Sequence, residues 1–164
     1  MTGIFLLLGT NLGDRLQNLL RAKDHLKASG IDIVASSSVY ETQPWGKEDQ
    51  PWFLNVLLEV QTSFTPEVLL LKCQEVEEEL GRTRLEKWGE RIIDVDILYY
   101  YDQVVNTRKL TIPHPEIQNR KFTLLPLVEL AAFVNHPVLD QNHMSLLAVC
   151  EDPLEVKKTK LTLN

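Results

Sequence analysis

At 164 residues the chain is long enough for one domain with a sizeable core, and a single domain over residues 1–164 is expected. A composition of 44% hydrophobic and 24% charged residues is that of an ordinary soluble globule, and a formal net charge of -6 argues against a general nucleic-acid binder. Any polyanion must then be met by locally clustered cations. The most concentrated apolar run, Ile4-Phe5-Leu6-Leu7-Leu8, is too short to cross a bilayer and has no Lys or Arg before it to mark a signal peptide. A cytoplasmic protein with no membrane association is expected. Cys73 and Cys150 fit no metal spacing and read as packing residues.

Residues 4–8 read as a buried strand. Gly9-Thr10-Asn11 turns the chain into a helix carrying Leu12, Leu16, Leu19, Leu20 and Leu26 at helical spacing, with Asn11 as its N-cap. Residues 31–40 make a second strand, and residues 53–61 a third with apolar positions at Phe53, Val56, Leu58 and Val60. Between them, residues 41–52 hold two prolines, a glycine and two tryptophans, more than a hairpin needs. Loops of that length are more often functional than accidental.

Thr65-Pro66-Glu67 is a strong helix start, with a capping hydroxyl, a proline in the first turn and an acid at the positive end of the dipole. Leu69, Cys73, Val76 and Leu80 form its buried stripe, Gln74 and Glu77 share a more polar face, and Gly81 supplies the stop.

The informative stretch follows: Lys87-Trp88-Gly89-Glu90-Arg91-Ile92-Ile93-Asp94-Val95-Asp96-Ile97-Leu98. Strand side chains alternate, so Asp94 and Asp96 project from one side about 6.6 Å apart along the backbone, while Ile93, Val95 and Ile97 face the other way. Aspartate is depleted in strands and costly beside aliphatic residues unless its charge is compensated. A strand with one wet face is the bland explanation. The preceding loop favours chemistry, because Arg82, Arg84, Lys87 and Arg91 place four cations within ten residues of an acidic chain. Cations beside two carboxylates suit a polyphosphate held by protein charge on one side and metal on the other.

Beyond this strand, Tyr101-Asp102-Gln103 turns into two short extended pieces, and Pro113 and Pro115 hold His114 in a defined backbone close to Asn119-Arg120. That grouping favours a ligand contact for His114 over a core role. A helix is expected to begin near Thr123, with Pro126 tolerated only in its first turn. A short amphipathic segment over residues 144–150 and a Lys-rich end complete the chain. His25, His136 and His143 are given no role. The order β-α-β-β-α-β is that of an α+β, ferredoxin-like sandwich with C-terminal helical additions, its antiparallel sheet covered by helices on one face.

No Walker-A spacing, dinucleotide fingerprint or H-E-x-x-H motif is present. The motifs that are present resemble those of the 6-hydroxymethyl-7,8-dihydropterin pyrophosphokinases of folate biosynthesis. The resemblance lies in Lys87-x-Gly89-Glu90-Arg91-x-x-Asp94-Val95-Asp96-Ile97-Leu98. It extends to Leu7-Leu8-Gly9-Thr10-Asn11-Leu12, Ser38-Val39-Tyr40-Glu41-Thr42, Gln50-Pro51-x-x-Leu54-Asn55, Pro113-His114 and Asn119-Arg120-x-Phe122.

The resemblance implies an ATP-dependent diphosphotransferase that moves pyrophosphate from ATP to the hydroxymethyl oxygen of the pterin and leaves AMP. By the same resemblance Asp94 and Asp96 would hold two magnesium ions, and Arg82 and Arg91 would stabilise charge on the transferred group. Gln74, Glu77, Arg84, Trp88, Ile97, Lys109, Thr111, His114 and Arg120 would contact ATP. Thr42, Gln43, Trp45, Asn55 and Asp94 would contact the pterin, with Phe53 and Phe122 sandwiching its ring. The implied partners are these two small molecules alone, acting on a monomer. The cationic loop is one residue shorter than the family pattern, with Leu85 where a lysine can follow Arg84, and Gln43 and Trp45 take places often held by proline and leucine. Loops 41–52 and 82–91 each hold a glycine and a bulky aromatic and are expected to close as lids. The alternative reading is a ferredoxin-like domain that senses a small molecule without chemistry, which would need neither the aspartate pair nor the arginine loop.

Overall fold

The computed structural model describes residues 2–44, 50–81 and 92–163. Trp45, Arg82, Arg84, Lys87, Trp88 and Arg91 lie outside them, and so do residues 45–49 of the first expected lid and the whole of the second, 82–91.

The first strand, β1 (Ile4–Thr10), is flanked on both sides, by β4 (Phe53–Gln61) and by β5 (Asp94–Tyr100), antiparallel to each. Its unbroken apolar run is what a strand buried on both faces requires. On the other edge of β4 lie β2 (Asp32–Ser36) and β3 (Tyr40–Thr42), so the strand order is that of a ferredoxin-like sheet, antiparallel throughout. The expected single strand over 31–40 is therefore two strands. Ser37 makes the break, because its hydroxyl accepts the Leu57 N–H at 2.9 Å in place of a backbone carbonyl.

Helix α1 (Arg15–Ala28) begins later than the leucine spacing suggests. Asp14, not Asn11, is the N-cap, accepting the Gln17 N–H at 3.1 Å. Leu12 falls in phase with the helix but precedes it, in a turn that includes Gly13 at φ 63°. Asn11 is buried and donates instead to Gln50 Oε1 and the Pro51 carbonyl, both at 3.4 Å, tying that turn to the long loop. Helix α2 (Pro66–Gly81) starts as expected, with Thr65 Oγ1 accepting the Val68 N–H at 3.3 Å.

After β5 come the hairpin strands β6 (Val105–Asn106) and β7 (Thr111–Ile112), a 3-10 turn at Ile117–Asn119, and helix α3 (Lys121–Ala131). The Asp152 carboxylate accepts the Lys121 N–H, so α3 starts two residues before Thr123 and Pro126 sits in its second turn rather than its first. Helix α4 (His143–Ala148) follows, and β8 (Val156–Lys158) adds a strand to the free edge of β3.

Helices cover both faces of the sheet, not one. Ile4, Leu6, Leu8, Val56, Val95 and Ile97 pack against α1 and α2, whereas Phe5, Leu7, Leu57 and Leu98 pack against Leu124, Leu127 and Leu146 of α3 and α4. The C-terminal helices are thus a second layer. Among the described residues no helix is long and apolar enough to cross a membrane.

Candidate active site

Past Leu7 on the α3 face, the described residues leave the sheet without a roof, and a cleft of about 610 Å³ opens there. Its floor is Leu7 and Gly9 of β1, Asn55 of β4, and Asp94 and Asp96 of β5; its walls are Thr42, Gln43 and Phe53 on one side and Glu116, Asn119, Arg120 and Phe122 on the other.

Register explains the floor. Gly9 pairs with Asn55 on one side and with Asp94 on the other, and Leu7 pairs with Asp96. All therefore stand on one face of the sheet. A side chain at residue 9 would block the arrangement, because a Cβ there would lie 2.7 Å from Asn55 Oδ1. Asn55 is 4% exposed, so its amide must be satisfied, and its Nδ2 donates to the buried Thr42 Oγ1 at 2.8 Å. That bond fixes the orientation of the amide in the cleft.

The β5 entry is held from β1, whose Thr10 hydroxyl donates to the Ile92 carbonyl two residues before Asp94. From α2, Glu77 accepts the Val95 N–H at 3.1 Å, gripping the backbone between the two aspartates. Opposite, the His114 N–H donates to the Leu98 carbonyl at 2.9 Å, so the segment carrying His114 runs along the outer edge of β5. His114 Nδ1 accepts the Glu116 N–H at 3.1 Å, which leaves the neutral ring's hydrogen on Nε2. Burial holds this imidazole below its ordinary pKa, against the pull of nearby Asp96 and with the push of Arg120. Burial also raises the Cys73 thiol, reinforced by Glu77 and Asp96, so Cys73 is the packing residue its spacing suggested.

Asp94 is exposed and Asp96 half-buried. Two carboxylates of this kind are hard oxygen donors of the sort Mg²⁺ takes, usually one or two at a time with phosphate and water oxygens completing the shell. Among the described residues no group of three or more His, Cys, Asp or Glu side chains could hold a metal unaided. The donor set therefore fits a divalent ion that shares its coordination with a bound phosphate. Phe53 and Phe122, both half-buried, give the cleft two aromatic surfaces, and the Arg120 guanidinium lies 5.7 Å from the Phe122 ring centroid.

Of the residues singled out in the sequence, Thr42, Gln43, Phe53, Asn55, Asp94, Asp96, Arg120 and Phe122 meet in this one cleft. Glu77 and His114 adjoin it along β5. Gln74, Lys109 and Thr111 are exposed outside its walls, and Ile97 is buried in the core beneath α1 and α2. Glu116 was missed: one acid in a polar loop carries no signal until the 3-10 turn brings it beside Arg120. The role of Asp152 was also hidden, since it acts across a long sequence separation.

An aspartate pair at the mouth of an aromatic cleft on a ferredoxin-like sheet has the donors for a metal-assisted enzyme that takes a flat, polar ring. Residues 5–132 match the model of the 7,8-dihydro-6-hydroxymethylpterin-pyrophosphokinase family, and the chain belongs to that family. It is 44% identical over 138 residues to the 2-amino-4-hydroxy-6-hydroxymethyldihydropteridine pyrophosphokinase of Aquifex aeolicus, covering 84% of this chain and 86% of that one. To the enzyme of the same name from Methylorubrum extorquens it is 45% identical over 132 residues, covering 80% and 84%. Among solved structures it resembles Plasmodium falciparum HPPK-DHPS wild type with pteroate, with a TM-score of 0.70 and 20% identity over 88% of this chain. It spans 41% of that longer chain, and the likeness is one of fold.

Proposed function

We propose that this chain transfers pyrophosphate from ATP to the hydroxymethyl group of 6-hydroxymethyl-7,8-dihydropterin, releasing AMP. The observation that carries the reading is the meeting of Asp94 and Asp96 with Asn55, Phe53 and Phe122 in one cleft. Metal-dependent phosphate chemistry and recognition of a flat heterocycle then share one floor.

The pterin lies between Phe53 and Phe122, with Asn55, oriented by Thr42, and Gln43 at its polar edge. Its hydroxymethyl oxygen is aimed toward Asp94 and Asp96. ATP lies along the outer edge of β5, with Glu77, Gln74, Lys109, Thr111, His114 and Arg120 as its contacts, whereas the Ile97 side chain, packed in the core, is not available to it. Because AMP is the leaving group, the hydroxyl oxygen bonds to the β-phosphorus as the bond from that phosphorus to the bridging oxygen of AMP breaks. The hydroxyl proton passes to solvent.

Two Mg²⁺ ions held by Asp94 and Asp96 would neutralise charge on the phosphate oxygens. Otherwise the protein positions reactants and excludes water, which is most of what phosphoryl transfer needs. Arg82, Arg84, Trp88, Arg91 and Trp45 are assigned to the phosphates and the pterin from their places in the motif. The chain acts as a monomer in this reading.

The test is AMP release from ATP, with and without the hydroxymethyl dihydropterin, at millimolar magnesium. AMP formed only when the pterin is present supports the reading. Pterin binding without AMP would return the chain to the ligand-sensing alternative.

A further inference from the structure

The segment after α4 lies beyond residues 5–132, the stretch the family model matches, yet it is bonded to both walls of the cleft. On one wall, β8 pairs with β3 in the register Thr42↔Val156 and Tyr40↔Lys158. One residue further, Gln43 and Glu155 exchange two bonds: the Gln43 N–H donates to the Glu155 carbonyl at 3.0 Å, and the Glu155 N–H donates to Gln43 Oε1 at 3.2 Å. The side chain of Gln43, a cleft residue, is thereby held from the tail.

On the other wall, Asp152 is 6% exposed and fully engaged. Its Oδ1 accepts the Leu154 N–H and its Oδ2 the Lys121 N–H, both at 3.0 Å. Lys121 stands between Arg120 and Phe122, at the first turn of α3. Arg120, the N-cap residue, makes no side-chain capping bond, so Asp152 supplies from the tail the acceptor this helix start lacks. Its charge also suits the positive end of the helix. The tail is itself anchored, with the Thr159 N–H on the Val39 carbonyl at 3.0 Å, the Val39 N–H on the Leu161 carbonyl at 3.2 Å and Leu163 buried at 3% exposure.

We propose that residues 152–158 are a brace that sets the width of the cleft, with Asp152 and the Glu155 backbone as positioning groups for the pterin that do not touch it. Two aromatic surfaces grip a ring only at one separation, and only Pro153 and Leu154 separate the grip on α3 from the grip on Gln43. This rests on the cleft being the pterin site.

Asp152→Ala loosens the Phe122 wall, and Glu155→Pro removes the N–H that holds Gln43. In each, KM for the pterin is expected to rise ~10-fold, with Asp152→Asn, which keeps one acceptor oxygen but sets its amide NH2 against the other backbone N–H, recovering only part of the loss. KM for ATP in Glu155→Pro should stay within ~2-fold of the parent. A tail that only stabilises the fold would lower Tm and the active fraction while leaving the pterin KM alone, and that result in both variants would overturn the brace. Equal increases in both KM values in both variants would also overturn it. A parent chain without pterin-dependent AMP release would instead sink the reading of the site itself, and the brace with it.

Discussion

Gly9 and Asn55 face each other across the β1–β4 ladder so closely that a Cβ at residue 9 would stand 2.7 Å from the Asn55 carboxamide oxygen. Gly9→Ala must displace that amide, which is held by Thr42, while leaving the backbone register intact. Pterin affinity should fall ~10-fold or more, the size expected when a buried hydrogen-bonding group is mispositioned. Calorimetric titration with pterin checks this, and unchanged affinity would show that Asn55 does not read the ring.

Replacing Asp96 by Asn preserves shape and removes one of the two carboxylates on the β5 face. Turnover should drop ~10²-fold or more at ordinary magnesium, as for the loss of a preorganised charge stabiliser. Metal-free stability should hold or rise, because two like charges no longer share the face. Steady-state kinetics with thermal melts, with and without magnesium and an ATP analogue, separate the two effects. Near-normal turnover would remove Asp96 from the metal site.

Phe53→Ala and Phe122→Ala each delete one aromatic surface of the cleft. Loss of a stacking face should weaken pterin binding by ~10-fold. Phe53→Ala should do so without changing ATP affinity, since Phe53 stands on the wall away from Arg120 and His114. Parallel losses for both ligands in Phe53→Ala would contradict the sandwich.

Glu129 of α3 links the second helical layer to the sheet. Its Oε1 accepts from the Ser38 N–H at 2.9 Å and hydroxyl at 2.8 Å, and its Oε2 accepts from the Tyr40 hydroxyl at 2.6 Å. Burial alone would raise its pKa, but these bonds and the Lys158 charge outweigh it and hold the carboxyl below its usual value. A depressed pKa means the unfolded chain binds the proton more tightly. The contribution is therefore present at neutral pH and is lost as pH falls below the ordinary glutamate value of ~4.3 and through the folded value. Glu129→Gln should melt lower at pH 7, with the gap closing in acid; a gap independent of pH would contradict the assignment.

Much of the fold was legible because it rests on local signals. Residues 53–61 are a mostly apolar run that forms one strand, Thr65-Pro66 caps α2, and the aspartate pair announces β5. Legibility failed where a distant partner decides. Ser37 breaks a strand by bonding Leu57, and Asp152 moves the start of α3 by capping Lys121. Leu12 continued the helical spacing by coincidence, which hid Asp14 as the cap. The aspartate pair alone suited a wet-faced strand as well as chemistry, and it was the four cations just before it that made the site legible. The cleft walls Gln43, Phe53 and Phe122 were named through the family resemblance alone, because residue type and spacing give no reason to pair a residue just after β3 and one on β4 with one on α3.

The central claim is that this cleft moves a pyrophosphoryl group and not a single phosphate. ATP labelled at the β-phosphorus distinguishes the two directly, with products separated after incubation with the hydroxymethyl dihydropterin and magnesium. The account predicts that label leaves ATP only into a pterin diphosphate, with one AMP formed per pterin consumed. Label retained in ADP, or released as inorganic phosphate or pyrophosphate at a rate indifferent to the pterin, would contradict it.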